Sequence, residues 1–166
     1  MKLINKLSIV VSVYNEEAVL DKFYETILPI LEGIDSDYEL IFVNDGSRDA
    51  SPAILDRLAM DSKKVKVIHF SRNYGHEAAM IAGIDYSSGD GIVCMDADLQ
   101  HPVECIPQIL DTFNQGYEVI SMVRTANKSA GFVKNLTSGL FYKILNKISE
   151  VHFEENASDF FAITKK

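Results

Sequence analysis

Asp96, Asp98 and Gln100 stand directly after the apolar run Gly91-Ile92-Val93-Cys94-Met95, so two carboxylates and an amide oxygen emerge where a buried strand should surface. Oxygen-only ligands of this kind suit a hard divalent cation, Mg²⁺ or Mn²⁺, over zinc or copper. In an extended segment alternate residues point the same way, which would let the three side chains converge on one ion. A calcium loop of the EF-hand type does not fit. Its sixth position would be His101 where glycine is needed, and its twelfth Pro107 where glutamate is needed. The plainer reading is that the two acids are turn residues capping a helix after Pro102.

The elements that must position these groups follow from hydropathy patterning. Residues 7–14, 38–44, 65–70, 91–95 and 117–123 read as strands and alternate with helical patterns, which predicts an α/β fold with a parallel sheet and crossover helices. The first helix, residues 16–32, places Val19, Leu20, Phe23, Ile27 and Ile30 on one face, while Ser51-Pro52 and His101-Pro102 start later helices. A further helix, residues 131–148, carries Phe132, Val133, Leu136, Leu140, Phe141, Ile144, Leu145 and Ile148, with Lys134, Lys143 and Lys147 beside them. Two readings of it stand: packing against the sheet, or contact with a membrane surface.

Polar clusters recur at the predicted C-terminal strand ends: Tyr14-Asn15-Glu16, Asn44-Asp45-Gly46-Ser47, Ser71-Arg72-Asn73-Tyr74-Gly75, Asp96-Ala97-Asp98 and Arg124. In open parallel sheets that edge is where ligands bind, so the clusters point to one shared site. Each taken alone is also an ordinary turn, with Asp45-Gly46 a common turn pair.

With 166 residues and 47% hydrophobic content, the chain can bury one substantial core, and a single domain over residues 1–166 is expected. A net charge of −8 argues against a nucleic-acid partner. The charge is uneven: residues 1–123 carry 9 basic and 20 acidic side chains, residues 124–166 carry 7 and 4. The C-terminal part therefore either meets something anionic or presents a solvated basic face. Cys94 and Cys105 have no metal-ligand or redox spacing and read as reduced core residues. No stretch reaches the roughly 18 apolar residues of a spanning helix, and the opening run lacks a cleavage site, so the chain is expected to be soluble as written.

A cation at Asp96 and Asp98 beside glycine-containing loops suits a diphosphate, whose charge the metal neutralises as it leaves. Neither G-x-x-x-x-G-K-[ST] nor a post-strand G-x-G-x-x-G is present, which disfavours P-loop hydrolysis and dinucleotide-dependent redox chemistry. A receiver-type phosphoacceptor domain would need its acid pair after the first strand, where this chain has Asn15-Glu16-Glu17.

The ordered motifs Ser8-Ile9-Val10-Val11-Ser12-Val13-Tyr14-Asn15-Glu16-Glu17, Val43-Asn44-Asp45-Gly46-Ser47-Arg48-Asp49, Ser71-Arg72-Asn73-Tyr74-Gly75-His76-Glu77-Ala78-Ala79 and Asp96-Ala97-Asp98-Leu99-Gln100-His101-Pro102 resemble family 2 glycosyltransferases. Within that family they are most similar to the polyprenyl-phosphate branch, which includes dolichol-phosphate mannose synthases. The resemblance covers nearly the whole chain. It implies a GT-A fold, a Rossmann-like, mostly parallel sheet flanked by helices. It also implies that Tyr14, Glu16, Asp45, Arg72 and Asp96 hold a UDP- or GDP-linked sugar, and that Asp96, Asp98 and Gln100 hold Mg²⁺ or Mn²⁺ with the diphosphate. Asp96, Asp98 and Arg124 would serve catalysis, and Lys134 and Ser138 would face the phosphate of a polyprenyl-phosphate acceptor. For those last two a structural role is an equal reading.

The implied reaction is a single inverting displacement at the anomeric carbon. A phosphate acceptor is already anionic near neutral pH and needs little help from a general base. The resemblance further implies a membrane-associated enzyme at the cytoplasmic face, of which this chain is a C-terminally truncated part. Ser12 replaces a usual proline, Asn44 a frequent aspartate, and Phe161, in Asp159-Phe160-Phe161, a common arginine. Two other functions stay open: transfer to a saccharide or protein hydroxyl, and binding of a nucleotide-sugar without turnover.

Overall fold

The structure, a computed structural model, describes residues 3–123 and 157–165. In chain order the elements are β1 (Lys6–Val13), α1 (Leu20–Gly33), β2 (Asp37–Asn44), α2 (Ser51–Asp61), β3 (Val65–His69), α3 (His76–Tyr86), β4 (Gly91–Asp96), a 3₁₀ turn at Val103–Cys105, α4 (Ile106–Asn114), β5 (Val119–Val123) and β6 (Ala157–Thr164). The sheet order is β3-β2-β1-β4-β6-β5. The four strands from β3 to β4 run parallel, and β6 pairs antiparallel with β4. The expected α/β sheet is present and mostly parallel, with β6 an addition that the helix–strand alternation did not indicate. Residues 1–120 with 160–166 form one compact unit; residues 121–159 form a second, described only at 121–123 and 157–159.

The register places side chains by parity. In β1, Leu7, Ile9 and Val11 point to one face and Ser8, Val10 and Ser12 to the other. The first face meets α1, where Phe23 packs edge-on against Phe42 of β2 with ring centroids 6.1 Å apart. On the second face Val10, Ile41, Val43, Ile92 and Cys94 form a core with Ala79 and Met80 of α3. Gly83 lets α3 lie flat on it, since a Cβ there would stand 2.2 Å from a Val10 methyl. Each large apolar side chain so buried contributes about 1.5–3 kcal/mol, which makes β1 and β2 the rigid centre.

The α3-facing columns are apolar in the middle and polar at both ends. At the N-terminal edge, Glu39 is 2% exposed yet fully partnered: it accepts from Ser8 Oγ (2.6 Å), Ser88 N (2.6 Å), Lys66 Nζ (2.7 Å) and Lys6 Nζ (3.0 Å). This network clamps β1, β2 and β3 to the loop before β4. The C-terminal edge ends in Ser12, Asp45 and Asp96, and there the side chains serve a site.

Several expectations shift locally. Helix α1 starts at Leu20, because residues 17–19 form a turn, and its buried face is Leu20, Phe23, Ile27 and Leu31, with Val19 and Ile30 only half-buried. Phe160 is buried and stacks on His101 at 5.1 Å, while Phe161 sits beside Cys94 and packs on the α3-facing core. The arginine-to-phenylalanine departure thus places an apolar side chain in the hydrophobic layer. Cys94 lies in that core, and burial pushes its thiol up to about 12. Among the described residues no helix is long and apolar enough to cross a membrane. The helix expected over residues 131–148 lies outside the described residues, as do Arg124, Lys134 and Ser138.

Candidate active site

The loops after β1, β2 and β3 are stitched together by side chains, and the β2 loop is the hub. Asn15 takes a left-handed backbone (φ 56°), which asparagine tolerates, and its Oδ1 accepts from Arg48 N at 2.8 Å. In return Ser47 Oγ accepts from Asn15 N (3.0 Å), Ser51 Oγ from Glu16 N (2.9 Å) and Asp49 Oδ2 from Glu17 N (3.1 Å). On its other side the hub grips the β3 loop. Asp45, 3% exposed, accepts Tyr74 N on Oδ1 (2.6 Å) and Gly75 N on Oδ2 (3.0 Å). Gly46, at φ +68°, lies so close to this loop that a Cβ would stand 2.3 Å from the Arg72 carbonyl carbon.

The stitching leaves a cleft of about 340 Å³ whose wall includes Tyr14, Asn44, Ser47, Arg48, His69 and Arg72. Tyr14 is 45% exposed, and the Arg72 guanidinium lies over the Tyr74 ring at 4.5 Å. Asn44, another departure from the family pattern, is committed to structure: its Oδ1 accepts from Ser47 N (3.0 Å) and its Nδ2 meets His69 Nδ1 (2.9 Å). A larger hollow of about 460 Å³ lies beside the end of α1 and α4, away from these loops, with Asp35 and Asp111 as its charged lining residues.

Two residues beyond Tyr14 the cleft adjoins an acidic edge. Burial raises the Glu16 carboxyl above its ordinary value, and the negative charges of Asp98, Asp96 and Asp49 raise it further. Glu16, Asp96 and Asp98 therefore occupy one field, as neighbouring strand ends in a parallel sheet require.

The expectation of an extended Asp96–Gln100 segment is corrected by the structure. Strand β4 ends at Asp96, and Leu99 adopts φ 60°. Asp98 Oδ1 turns back to accept from Gln100 N at 2.9 Å, so the three oxygens do not project in strand alternation, and Gln100 is exposed. Of the plainer reading the turn half holds, since Asp98 closes a turn onto Gln100 N, while the capping half fails, because the 3₁₀ turn after Pro102 and α4 have no side-chain cap.

Asp96 itself is held from three sides. Ser12 is its register partner across β1 and β4, and Ser12 Oγ donates to Asp96 Oδ1 at 2.7 Å. His76, the first residue of α3, places Nδ1 2.9 Å from Ser12 Oγ and 3.4 Å from Asp96 Oδ1. The buried His101 accepts from Asp96 N through Nδ1 at 3.2 Å. The sequence motifs contain Ser12, His76 and His101, but residue type alone assigned them no role beyond a departure and a helix start. The signal for Ser12 was its place two residues before Tyr14 on the β1 face opposite the odd-numbered apolar residues.

The description Glycosyl transferase family 2 matches residues 8–165 of this sequence. The chain belongs to that family. It is 42% identical over 159 residues to the uncharacterized glycosyltransferase YkcC of Bacillus subtilis, covering 96% of this chain and 49% of that protein. It is 39% identical over 155 residues to a bactoprenol glucosyl transferase of Shigella phage SfV, covering 93% of this chain and 50% of the relative. The chain thus spans about half the length of the curated relatives it matches.

Among solved structures it is similar to glucosyl-3-phosphoglycerate synthase from Mycobacterium tuberculosis in complex with Mn²⁺, UDP-glucose and phosphoglyceric acid. There the TM-score is 0.68 and the identity 21%, over 96% of this chain and 56% of that one. It is also similar to the mannosyltransferase PcManGT from Pyrobaculum calidifontis in complex with GDP-mannose and Mn²⁺, with TM-score 0.64 and 16% identity over 97% of this chain and 44% of that one. At these identities the likeness establishes the fold, which is the expected GT-A fold. In this family 2 chain the loops of the C-terminal strand edge are built, and stapled, as one unit.

Proposed function

We propose that this chain is the donor-binding part of a metal-dependent, inverting glycosyltransferase that moves a hexose from a nucleotide-sugar to a polyprenyl phosphate. The observation that carries the reading is the β1–β4 register, which sets Asp96 beside Ser12, two residues before Tyr14, and so brings the Asp96–Asp98 segment to the same sheet edge as the Tyr14–Arg72 cleft. Like charges gathered there are stabilised by a cation, and a cleft with an aromatic ring and two arginines suits a base, ribose and diphosphate. The bactoprenol glucosyl transferases among the relatives support a polyprenyl acceptor.

The donor set fits Mg²⁺ or Mn²⁺. Among the described residues no three His, Cys, Asp or Glu side chains close into a metal cage. Magnesium-type sites commonly have only one or two carboxylates, the remaining positions being taken by substrate phosphates and water. Asp96 and Asp98 would be those carboxylates, with Gln100 at the exposed rim. When bound, the cation neutralises charge on the departing nucleoside diphosphate.

The chain's own groups divide the remaining work. Tyr14 offers a ring face at the cleft mouth, Asp45 and Gly46 set the wall that carries Arg72, and Arg72 offers a planar fork of donors to phosphate oxygens. An acceptor phosphate oxygen then bonds to the anomeric carbon as the bond to the diphosphate oxygen breaks, with inversion. An acceptor that is already anionic requires no proton transfer to a base. Arg124, Lys134 and Ser138, together with the basic segment 131–148, are proposed to meet the acceptor phosphate at a membrane surface on the cytoplasmic side.

Calorimetry with UDP- and GDP-sugars, with and without Mn²⁺, tests donor binding. Transfer is tested with the full-length protein and a polyprenyl phosphate. Asp98→Asn should remove the Mn²⁺-dependent part of nucleotide affinity while the circular dichroism spectrum is retained; unchanged affinity would sink the assignment of Asp98. Product formed on a saccharide hydroxyl instead would replace the acceptor proposed here.

A further inference from the structure

We propose that Ser12 and His76 are positioning residues for Asp96, a relay that fixes which carboxylate oxygen faces the cation. The inference rests on the metal-binding reading above and adds to it two residues outside the ligand set.

The relay's polarity follows from its distances. Ser12 Oγ lies 2.7 Å from Asp96 Oδ1 and 2.9 Å from His76 Nδ1. A hydroxyl carries one proton, and an ionised carboxylate only accepts. If Ser12 gave its proton to His76, two bare oxygens would stand 2.7 Å apart, a repulsive contact with no donor between them. Ser12 therefore donates to Asp96, and His76 Nδ1 carries a hydrogen directed at Ser12 Oγ. That same nitrogen is 3.4 Å from Asp96 Oδ1 and adds its dipole to the same oxygen.

Both contacts fall on Oδ1. They anchor Oδ1 and leave Oδ2 as the oxygen open to a cation, while His101 separately holds the Asp96 backbone through its amide. The register explains why the hold is stiff. Ser12 and Asp96 are paired residues of two adjacent parallel strands, and His76 opens the helix packed on that face. All three groups thus stand on regular elements, which hold geometry more closely than loops do. A serine nucleophile is not implied, because its hydroxyl hydrogen is already committed to the carboxylate.

Partners that orient a metal-ligating carboxylate typically affect metal affinity by about 10- to 100-fold. Mn²⁺ affinity is read by electron paramagnetic resonance of the free ion, at saturating UDP and separately at saturating GDP, on the parent chain and on Ser12→Ala, Ser12→Thr, His76→Ala, Ser12→Ala/His76→Ala and Asp96→Asn. Ser12→Ala and His76→Ala are each expected to weaken Mn²⁺ about tenfold. Metal-free nucleotide affinity and the circular dichroism spectrum should hold, and Ser12→Thr, which keeps the hydroxyl, should restore the parent value.

Because the two residues act through one oxygen, the double variant should lose less than the product of the single losses. His76 is 37% exposed at its side chain, so its replacement tests the relay independently of any packing loss at Ser12. If Asp96→Asn abolishes Mn²⁺ binding while both single alanine variants stay within about twofold of the parent, outside the range expected of such partners, the relay is refuted and the metal site stands. If Asp96→Asn leaves Mn²⁺ affinity unchanged, the metal reading fails and the relay fails with it.

Discussion

Asp45, expected from the sequence to hold the nucleotide itself, spends both carboxylate oxygens on backbone amides, so replacing it by asparagine should loosen the wall of the proposed donor cleft. The Asp45 carboxylate is buried, and each oxygen accepts one backbone N–H, from Tyr74 at 2.6 Å and from Gly75 at 3.0 Å. Hydrogen bonds to a charged group contribute about 1.5–3 kcal/mol each. Asparagine keeps one acceptor but turns an NH₂ toward the second N–H, so one charge-assisted bond is lost and the other weakened, about 2–4 kcal/mol in all. If this loss falls on opening of the β3 loop, amide exchange at Tyr74 and Gly75 should quicken about 30- to 1000-fold, while amides of β1 and β2 keep their protection. The assay is hydrogen exchange followed by NMR, paired with calorimetry of UDP and GDP. Nucleotide affinity should fall with and without Mn²⁺, since Arg72 rides on this loop and the contact does not run through the cation. Unchanged protection at Tyr74 and Gly75 would refute the reasoning, as would an affinity loss that appears only with metal.

Glu39→Gln should lower unfolding stability by about 3 kcal/mol near pH 7, the lower end for breaking a buried ion pair, because Lys6 and Lys66 are partly exposed and rehydrate. Burial pushes the Glu39 carboxyl up, but Lys66, Ser8, the Ser88 amide and Lys6 together hold it well below its ordinary 4.5; the stabilisation is therefore full above that pH, is lost as pH falls below it, and the urea midpoints of parent and variant should converge in acid. Gly46→Ala should cost upward of about 2 kcal/mol, as its φ of +68° disfavours a side chain and its Cβ would meet Arg72 backbone; thermal unfolding measures it, and a midpoint within error of the parent would contradict the close approach. Cys94, with its thiol raised to about 12, should resist alkylation in the folded chain at pH 8 and react only after denaturation, read by mass spectrometry.

Local pattern alone determined the parallel strands and the edge at which chemistry gathers. Largely apolar runs ending in Tyr14, Asn44 and Asp96 mark strands buried on both faces, and polar residues must appear where such a run leaves the core. What pattern could not decide was pairing between distant residues. Strand β6 reaches β4 from far along the chain and enters antiparallel, putting Phe161 beside Cys94. Helix α3 has apolar residues on all sides, so no amphipathic stripe announces which face packs, and it is Gly83 against Val10 that settles it.

The site divides along the same line. Acid types and their order were legible at Glu16, Asp45, Asp96 and Asp98. Their tasks differ by tertiary context: Asp45 is a buried acceptor for two amides, Asp98 bends back on Gln100, and Asp96 is held by a serine 84 residues away. Residue type sets which bonds a side chain can make, but only register and loop closure select which of them are made, because hydrogen bonds demand contact within about 3 Å and sequence distance carries no such information.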